Sequence, residues 1–151
     1  MASKKKVKIL LVDDEQEFLD SISERMRLRG FEPTCALNGE EAIELAKKEK
    51  FDAAVVDLKM PGIDGVATIT KLKELRPKMK TVLLTGFGNE KVKQVTESLE
   101  SEYFEKSEIG SFWDWIKRLP KKLEDTMAAA GMATHGDPED AKKLVEEDDE
   151  D

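Results

Sequence analysis

The sequence predicts an α/β fold in which a doubly wound, five-stranded parallel sheet carries helices on both faces. Three observations favour this fold. Short apolar runs alternate five times with longer segments whose apolar residues recur at helical spacing. The first run, residues 7–12, is almost continuously apolar, as in a strand that is buried on both faces. Strand and helix alternate throughout, and right-handed crossovers then place helices on both sides of a parallel sheet.

This pattern, together with the residues that end or cap each segment, predicts ten elements. Gly30 ends the first helix, and Pro33 restricts the second strand to a sheet edge because proline cannot donate a ladder hydrogen bond. Asn38 and Asp64 are predicted caps of the second and third helices, since their side-chain oxygens can accept from the first turn. In chain order, the predicted strands are 7–12, 31–36, 51–57, 80–85 and 102–106, and the predicted helices are 15–29, 39–49, 64–75, 90–99 and 108 onward.

The last predicted helix has an apolar arc and one interruption. Pro120 should kink this helix or restart it, because proline removes a hydrogen bond and clashes with the preceding turn. Beyond residue 131 the composition changes, and Asp137 followed by Pro138 predicts the start of a short further helix. The arc consists of Phe112, Ile116, Leu119, Leu123 and Met127.

Composition excludes several classes of protein. The formal net charge of -8 argues against a nucleic-acid partner, and no apolar run is long enough for membrane insertion. With one cysteine, Cys35, and one histidine, His135, the chain cannot form an internal disulfide and has too few ligands for a Cys/His zinc site. A cytoplasmic location is the simplest expectation. We expect a basic tail at residues 1–6, one domain at 7–125, and a partly helical extension at 126–151 with a disordered acidic end.

Five chemically distinctive side chains fall at the carboxyl ends of the predicted strands. Asp13 and Asp14 come at the end of the first strand, and Asp57, Thr85 and Lys106 end the third, fourth and fifth strands. In a parallel sheet these ends meet at one edge. In the strand order 2-1-3-4-5, the crevice between strands 1 and 3 is the point where ligands bind, and it would hold the three aspartates.

The residue types at this edge indicate phosphoryl chemistry. Clustered carboxylates repel one another unless a cation neutralises them, and Mg²⁺ (or Mn²⁺) favours oxygen ligands of this kind. Phosphoryl transfer needs in-line placement and charge neutralisation more than covalent assistance. A lysine ammonium and a hydroxyl group would complete a cradle for phosphoryl oxygens, and an aspartate can itself be the nucleophile.

Four sequence pieces carry a resemblance to a known family. They are residues 10–15 (LLVDDE), 55–65 (VVDLKMPGIDG), 84–86 (LTG) and 103–106 (YFEK). In this order at strand ends, they closely resemble the response-regulator receiver domain of two-component systems, over residues 7–119. The resemblance implies a flavodoxin-like fold with strand order 2-1-3-4-5.

The resemblance also implies a role for each matching residue. It implies Asp57 as the phospho-acceptor. Asp14, Asp57 and the backbone carbonyl of Lys59 would bind the metal directly, and Asp13 would bind it through water. Thr85 and Lys106 would hold phosphoryl oxygens, and Tyr103 would be an aromatic switch that moves with Thr85.

The sequence departs from the family pattern at one position and carries bulky side chains at two others. Ser107 follows Lys106 where most members have proline, which affects the loop that presents the lysine. Lys59 and Phe87 occupy the positions two after Asp57 and two after Thr85, which in this family influence the access of hydrolytic water. Phe87 could shield an acyl phosphate, so we predict slow self-dephosphorylation.

The expected function is a signalling receiver without an attached output domain, which is not an enzyme beyond accepting and hydrolysing its own phosphoryl group. It would take phosphate on Asp57 from a sensor histidine kinase or a histidine phosphotransfer protein. Phosphorylation would switch the face made by helix 4, strand 5 and helix 5 toward a downstream protein target. A homodimer is a further possible assembly.

Three other functions are weaker readings of the same residues. A phosphate-independent binding module of the same fold would not need the full set of site residues. An aspartyl-phosphate phosphatase would carry an Asp-x-Asp pattern after the first strand and a cap insertion, whereas Asp13 and Asp14 are adjacent. A flavin-binding protein would carry a hydroxyl-rich phosphate loop there.

Overall fold

The computed structural model describes residues 6–135, with side chains described as far as residue 123. The described chain divides after Ile109 into two compact units, and all five strands lie in the first. The strands are β1 (Lys8–Val12), β2 (Glu32–Ala36), β3 (Ala53–Val56), β4 (Lys80–Thr85) and β5 (Glu102–Glu105). The helices are α1 (Gln16–Leu28), α2 (Gly39–Lys48), α3 (Gly65–Leu75), α4 (Glu90–Ser98) and α5 (Ile109–His135), with a 3₁₀ turn (Lys106–Glu108) before α5.

The sheet has the predicted topology. Its strand order is β2-β1-β3-β4-β5, and every neighbouring pair is parallel. Val12 pairs with Val56, and Val56 with Leu83, so β1 and β3 end level with each other and β4 extends two residues further, to Thr85. The residues that follow β1, β3 and β4 therefore meet at one edge of the sheet. The predicted α/β class and strand order are confirmed.

Helices cover both faces of the sheet because the strands are apolar on both sides. On one face, Leu10, Val12, Ala54, Val56 and Leu83 join a cluster with buried residues of α2 and α3, and Val92 of α4 packs against it. On the other face, a small cavity is lined by Leu11, Val55 and Leu84 of the sheet together with Phe18, Leu19 and Ile22 of α1. Alternate residues of one strand thus pack against the helices on opposite faces of the sheet.

The predicted caps of two helices are confirmed. The Asn38 side chain accepts from the Glu41 backbone N–H at 2.8 Å, and the Asp64 side chain accepts from that of Ala67 at 2.9 Å. At the start of α1 the pattern differs, because the side chain of its N-cap, Glu15, makes no cap hydrogen bond. These contacts fix where α2 and α3 begin, and with them the loops that leave β2 and β3.

Several element boundaries and one predicted interruption differ from the prediction. β3 is shorter than residues 51–57, and β5 ends before Lys106, which begins the 3₁₀ turn. The restart allowed at Pro120 is wrong, since α5 runs unbroken through this residue. Burial of Phe112, Ile116 and Leu119 can account for this, because each buried side chain stabilises by about 1.5–3 kcal/mol against about 3 kcal/mol for proline inside a helix. The predicted helix at Asp137 and the acidic end lie outside the described residues.

None of the helices in the described part of the chain combines the length and the apolar character that crossing a membrane requires.

Candidate functional site

Asp13 and Asp57 lie side by side at the carboxyl edge of the sheet. Each follows a central strand directly, and the Asp57 backbone N–H donates to the Val12 carbonyl at 2.9 Å. Both residues are almost fully buried, with 2% and 3% of their surface exposed. Asp13 Oδ1 accepts from the Glu15 backbone N–H at 2.9 Å, and Asp57 Oδ1 accepts from that of Leu58 at 2.8 Å. Backbone donors therefore orient one oxygen of each carboxylate.

Asp14 completes an acidic cluster with these two residues. Asp13, Asp14 and Asp57 each contribute a carboxylate oxygen, and these oxygens lie within 4.8 Å of one another. Asp14 is exposed, so the cluster opens to solvent on one side. Hard oxygen donors at this separation, open to water, fit a divalent cation such as Mg²⁺, which retains several waters when bound. The Lys59 carbonyl stays a predicted ligand.

Lys106 is the cation that faces this cluster. Its Nζ lies 2.8 Å from Asp13 Oδ2, 3.8 Å from Asp57 Oδ2 and 3.3 Å from Glu15 Oε1. The same ammonium lies 4.0 Å from the ring centroid of Phe18, whose π face attracts a cation. The structure thus brings Lys106 from the end of β5 to both buried aspartates, although serine follows it where most receivers have proline.

Burial governs the ionisation of this site. It raises the pKa of Asp57, while the Thr85 hydroxyl, the Lys106 charge and the Leu58 N–H oppose the shift. It likewise raises the pKa of Asp13, against the hydrogen bonds from Lys106 and Glu15. Burial lowers the pKa of Lys106, but its bonds and charge interactions with the aspartates outweigh this, so that its pKa is raised. The lysine therefore stays charged, and the carboxylates are short of positive charge.

Thr85 and the loop after β4 form the next wall of the site. Thr85 is fully buried, and its Oγ1 accepts from the Phe87 backbone N–H at 3.1 Å. Phe87 leaves 59% of its surface exposed, and the Lys59 ammonium lies 4.8 Å from its ring centroid. The two side chains at the positions two after Asp57 and two after Thr85 therefore contact each other.

Tyr103 lies in β5, three residues before Lys106, on the same side of the sheet as Leu83, its partner in β4. Its hydroxyl donates to Glu105 Oε2 at 3.0 Å. Its ring lies over Gly88, where any Cβ would overlap the Tyr103 hydroxyl. The Tyr103 side chain is therefore held at two points.

Sequence reasoning missed three contributors to this region. Glu15 and Phe18 contact the Lys106 ammonium, and Glu105 holds Tyr103. Glu15 stands inside the first matching piece, and Phe18 lies one helical turn after Asp14, so spacing could have indicated both. The contact of Glu105 depends on side-chain rotamers, which spacing does not fix.

Comparison with known proteins agrees with this arrangement. Residues 9–108 match the family model for the response regulator receiver domain. Sporulation initiation phosphotransferase F of Bacillus subtilis is 29% identical over 118 residues, covering 76% of this chain and 95% of that protein. The transcriptional regulatory protein PrrA of Mycobacterium tuberculosis is 40% identical over 68 residues, covering 45% of this chain. This chain spans only 29% of the length of PrrA.

Solved structures give the same result. The response regulator protein TrrA of Thermotoga maritima, solved in complex with Mg²⁺ and BeF, superimposes with a TM-score of 0.68 at 28% identity. The match covers 75% of this chain and 98% of that one. Because the family match spans residues 9–108, well over half of the chain, the protein belongs to the response-regulator receiver-domain family of two-component signal transduction.

Proposed function

We propose that this protein accepts a phosphoryl group on Asp57, with the help of a divalent metal bound by the aspartates, and thereby switches its contacts with a partner protein. The observation that carries the proposal is the convergence of three carboxylates within 4.8 Å, opposite the Lys106 ammonium. One ammonium does not neutralise three clustered carboxylates, so this convergence is explained best by a ligand that brings further positive charge.

The Asp57 carboxylate is the nucleophile in this proposal. One of its oxygens attacks the phosphorus of a phosphohistidine; the new O–P bond forms as the N–P bond breaks, and the histidine nitrogen leaves with the electron pair. The backbone N–H of Leu58, 2.8 Å from Oδ1, fixes the orientation of the carboxylate. Bound Mg²⁺ (or Mn²⁺) supplies charge neutralisation between Asp57 and the incoming phosphoryl oxygens.

Lys106 and Thr85 hold the remaining phosphoryl oxygens. The Lys106 ammonium lies 3.8 Å from Asp57 Oδ2, so a phosphoryl group on that carboxylate falls within its reach. The Thr85 hydroxyl projects from the adjacent strand and has a proton to donate to such an oxygen. Asp14, Asp57 and the Lys59 carbonyl would hold the metal directly, and Asp13, which accepts from Lys106 at 2.8 Å, would act through water.

Switching follows from the movement of Thr85. When its hydroxyl turns toward the phosphoryl group, it leaves the Phe87 N–H that it now accepts from, and the loop under Tyr103 is released. Tyr103 then changes position and remodels the surface of α4 and β5. The partners proposed are a sensor histidine kinase or a histidine phosphotransfer protein as donor and a downstream protein as target. A cytoplasmic receiver spanning residues 7–125 suits this chemistry.

The test is incubation with a small phosphodonor, acetyl phosphate, followed by intact mass spectrometry. We expect the wild type to gain one phosphoryl mass in the presence of Mg²⁺ and none after chelation. Asp57→Asn should gain none, whereas the exposed control Asp20→Asn should behave as the wild type.

Two results would overturn the proposal. Equal labelling of Asp57→Asn would assign the phosphoryl group elsewhere. No labelling of the wild type by the phosphodonor, together with no Mg²⁺-dependent binding of beryllofluoride, would favour a binding module that keeps the fold alone.

A further inference from the structure

Glu105 holds the aromatic side chain at the proposed switch position. The Tyr103 hydroxyl donates to Glu105 Oε2 at 3.0 Å. A hydrogen bond to an ionised acceptor is stronger than one between neutral groups. Glu105 is partly buried, which shields this bond from competing water. The carboxylate therefore stabilises the position in which Tyr103 is seen.

Glu105 is also the neighbour of Thr85 in the sheet. The register of β4 and β5 pairs Leu83 with Tyr103 and Thr85 with Glu105. Alternate residues of a strand share a face, so Thr85, Glu105 and Tyr103 all lie on one side of the sheet. Glu105 is thus a neighbour both of the residue proposed to meet a phosphoryl group and of the phenol proposed to respond.

A second connection runs through the loop after β4. The Thr85 hydroxyl accepts from the backbone N–H of Phe87, and Gly88, the next residue, lies against Tyr103. Residue 88 has no room for a side chain while Tyr103 keeps this position. Movement of Thr85 therefore changes the support of Tyr103 at the same time as the surroundings of Glu105.

We propose that Glu105 is a positioning residue that couples the Asp57 site to Tyr103, by holding the Tyr103 hydroxyl in the resting state and so opposing the switched state. This inference rests on the proposed function, because coupling requires that the Asp57 site take a phosphoryl group. By linkage, a group that stabilises the resting state weakens the binding of any ligand that favours the switched state.

The chain offers a spectroscopic probe for the first half of this proposal. Tyr103 is its single tyrosine, so the absorbance change on phenol ionisation reports on this residue alone. Burial, the hydrogen bond to Glu105, and the charges of Glu105, Glu90 and Glu108 raise the pKa of Tyr103 to about 12. Loss of the Glu105 carboxylate should therefore lower it.

The first experiment titrates the phenol by absorbance after rapid pH jumps, without phosphoryl mimic. We expect Glu105→Ala to titrate at lower pH than the wild type. Glu105→Gln should lie between them, because its amide oxygen still accepts but carries no charge. Glu102→Gln is the matched control, since Glu102 is exposed and lies on the opposite face of β5. It should leave the titration unchanged.

The second experiment measures the affinity for beryllofluoride with Mg²⁺ by calorimetry. We expect Glu105→Ala to bind this phosphoryl mimic about 3- to 10-fold more tightly than the wild type, the range that the loss of one hydrogen bond supports. Tyr103→Phe removes the same bond from its other end and should give a similar gain. In the double variant the two gains should not add, because they arise from one interaction.

The outcomes separate this inference from the proposed function. If the titration shifts but the affinity for beryllofluoride stays at the wild-type value in both single variants, coupling is refuted and the phosphorylation site stands. An unshifted titration in Glu105→Ala would remove the basis of the inference. A wild type that binds no beryllofluoride would overturn the proposed function and the coupling together. Glu105→Gln and Tyr103→Phe are nearly isosteric with the wild type, so their affinities for beryllofluoride test the coupling if Glu105→Ala does not fold.

Discussion

Burial of Asp57 is expected to make the folded protein less stable at neutral pH. Its pKa is raised by burial above the ordinary value of 3.8. A carboxyl whose pKa is higher in the folded chain than in the unfolded chain destabilises the fold above that folded pKa, and the penalty disappears as the pH falls through it. Asp57→Asn should therefore be more stable than the wild type at pH 7, because the amide carries no charge that has to be buried.

The measurement is chemical denaturation across a pH series with a chelator present. The stability difference between Asp57→Asn and the wild type should shrink as the pH falls, because the wild-type carboxyl then becomes neutral as well. The exposed residue Asp20 supplies the control, and Asp20→Asn should stay within about 0.5 kcal/mol of the wild type at pH 7. A stability difference that is independent of pH would contradict this account.

Phe87 is expected to slow hydrolysis of the acyl phosphate. Phe87 leaves 59% of its surface exposed, its ring centroid lies 4.8 Å from the Lys59 ammonium, and the two residues stand two positions after Thr85 and Asp57 in the sequence. Removal of the ring should expose the acyl phosphate, so the phosphorylated form of Phe87→Ala should decay faster, by about 10-fold for a barrier change near 1.4 kcal/mol. Loss of the phosphoryl mass over time measures this rate. Decay no faster than that of the wild type would refute shielding.

At the scale of elements, the start of α3 controls the loop that follows Asp57. The Gly65 backbone N–H donates to the Leu58 carbonyl at 2.8 Å, and a Cβ at residue 65 would overlap the Asp57 carbonyl oxygen. Gly65→Ala should destabilise by about 2–3 kcal/mol, because the loop backbone has to move. Gly110→Ala in α5 is the matched control: its Cβ meets nothing within 4 Å. Alanine should raise stability there by up to about 1 kcal/mol.

Thermal unfolding of both glycine variants distinguishes local crowding from a general response to alanine. Gly65→Ala should also lose labelling by acetyl phosphate, since the displaced carbonyl belongs to Asp57 itself. A Gly65→Ala protein with wild-type stability and wild-type labelling would show that this close approach carries no constraint on the site.

The sequence predicts elements well where the signal is local. The caps Asn38 and Asp64 were predictable because each accepts from a backbone N–H three residues later in the chain. At Pro120 the local signal allowed either a kink or a restart and could not decide between them, because burial of an apolar arc can outweigh the local cost of proline. The end of β5 before Lys106 was not predictable from the sequence, because the residues of the strand and those of the 3₁₀ turn that follows it are similar in polarity.

At the scale of the whole molecule, topology explains why five distant positions could be predicted to meet. Parallel strands in the order β2-β1-β3-β4-β5 bring their carboxyl ends to one edge, and the strand ends were readable from the apolar runs. Spacing along the chain carries no comparable signal for contacts that depend on rotamers. The bond from Tyr103 to Glu105 and the position of the Lys106 ammonium over Phe18 are of this kind.

Binding of Mg²⁺ should stabilise the whole fold, because it relieves repulsion among groups that folding brings together. Folding brings a carboxylate oxygen of Asp57 to within 4.8 Å of those of Asp13 and Asp14, so the metal binds the folded state in preference to the unfolded one. At a Mg²⁺ concentration of about 100 times its dissociation constant, the gain should be about 2.7 kcal/mol. Thermal unfolding in a Mg²⁺ titration, against NaCl at equal ionic strength, measures it.

Two variants decide whether that stabilisation arises at the proposed site. Asp14→Asn removes an exposed carboxylate of the cluster, so the rise in melting temperature with Mg²⁺ should largely disappear, whereas its effect without metal should be small. Glu74→Gln removes an exposed carboxylate of α3, 4.0 Å from Lys71, and should respond to Mg²⁺ as the wild type does. An equal Mg²⁺ response in all three proteins would mean that the cation acts on the overall negative charge and not through the three aspartates, because only a bound ion distinguishes one carboxylate from another.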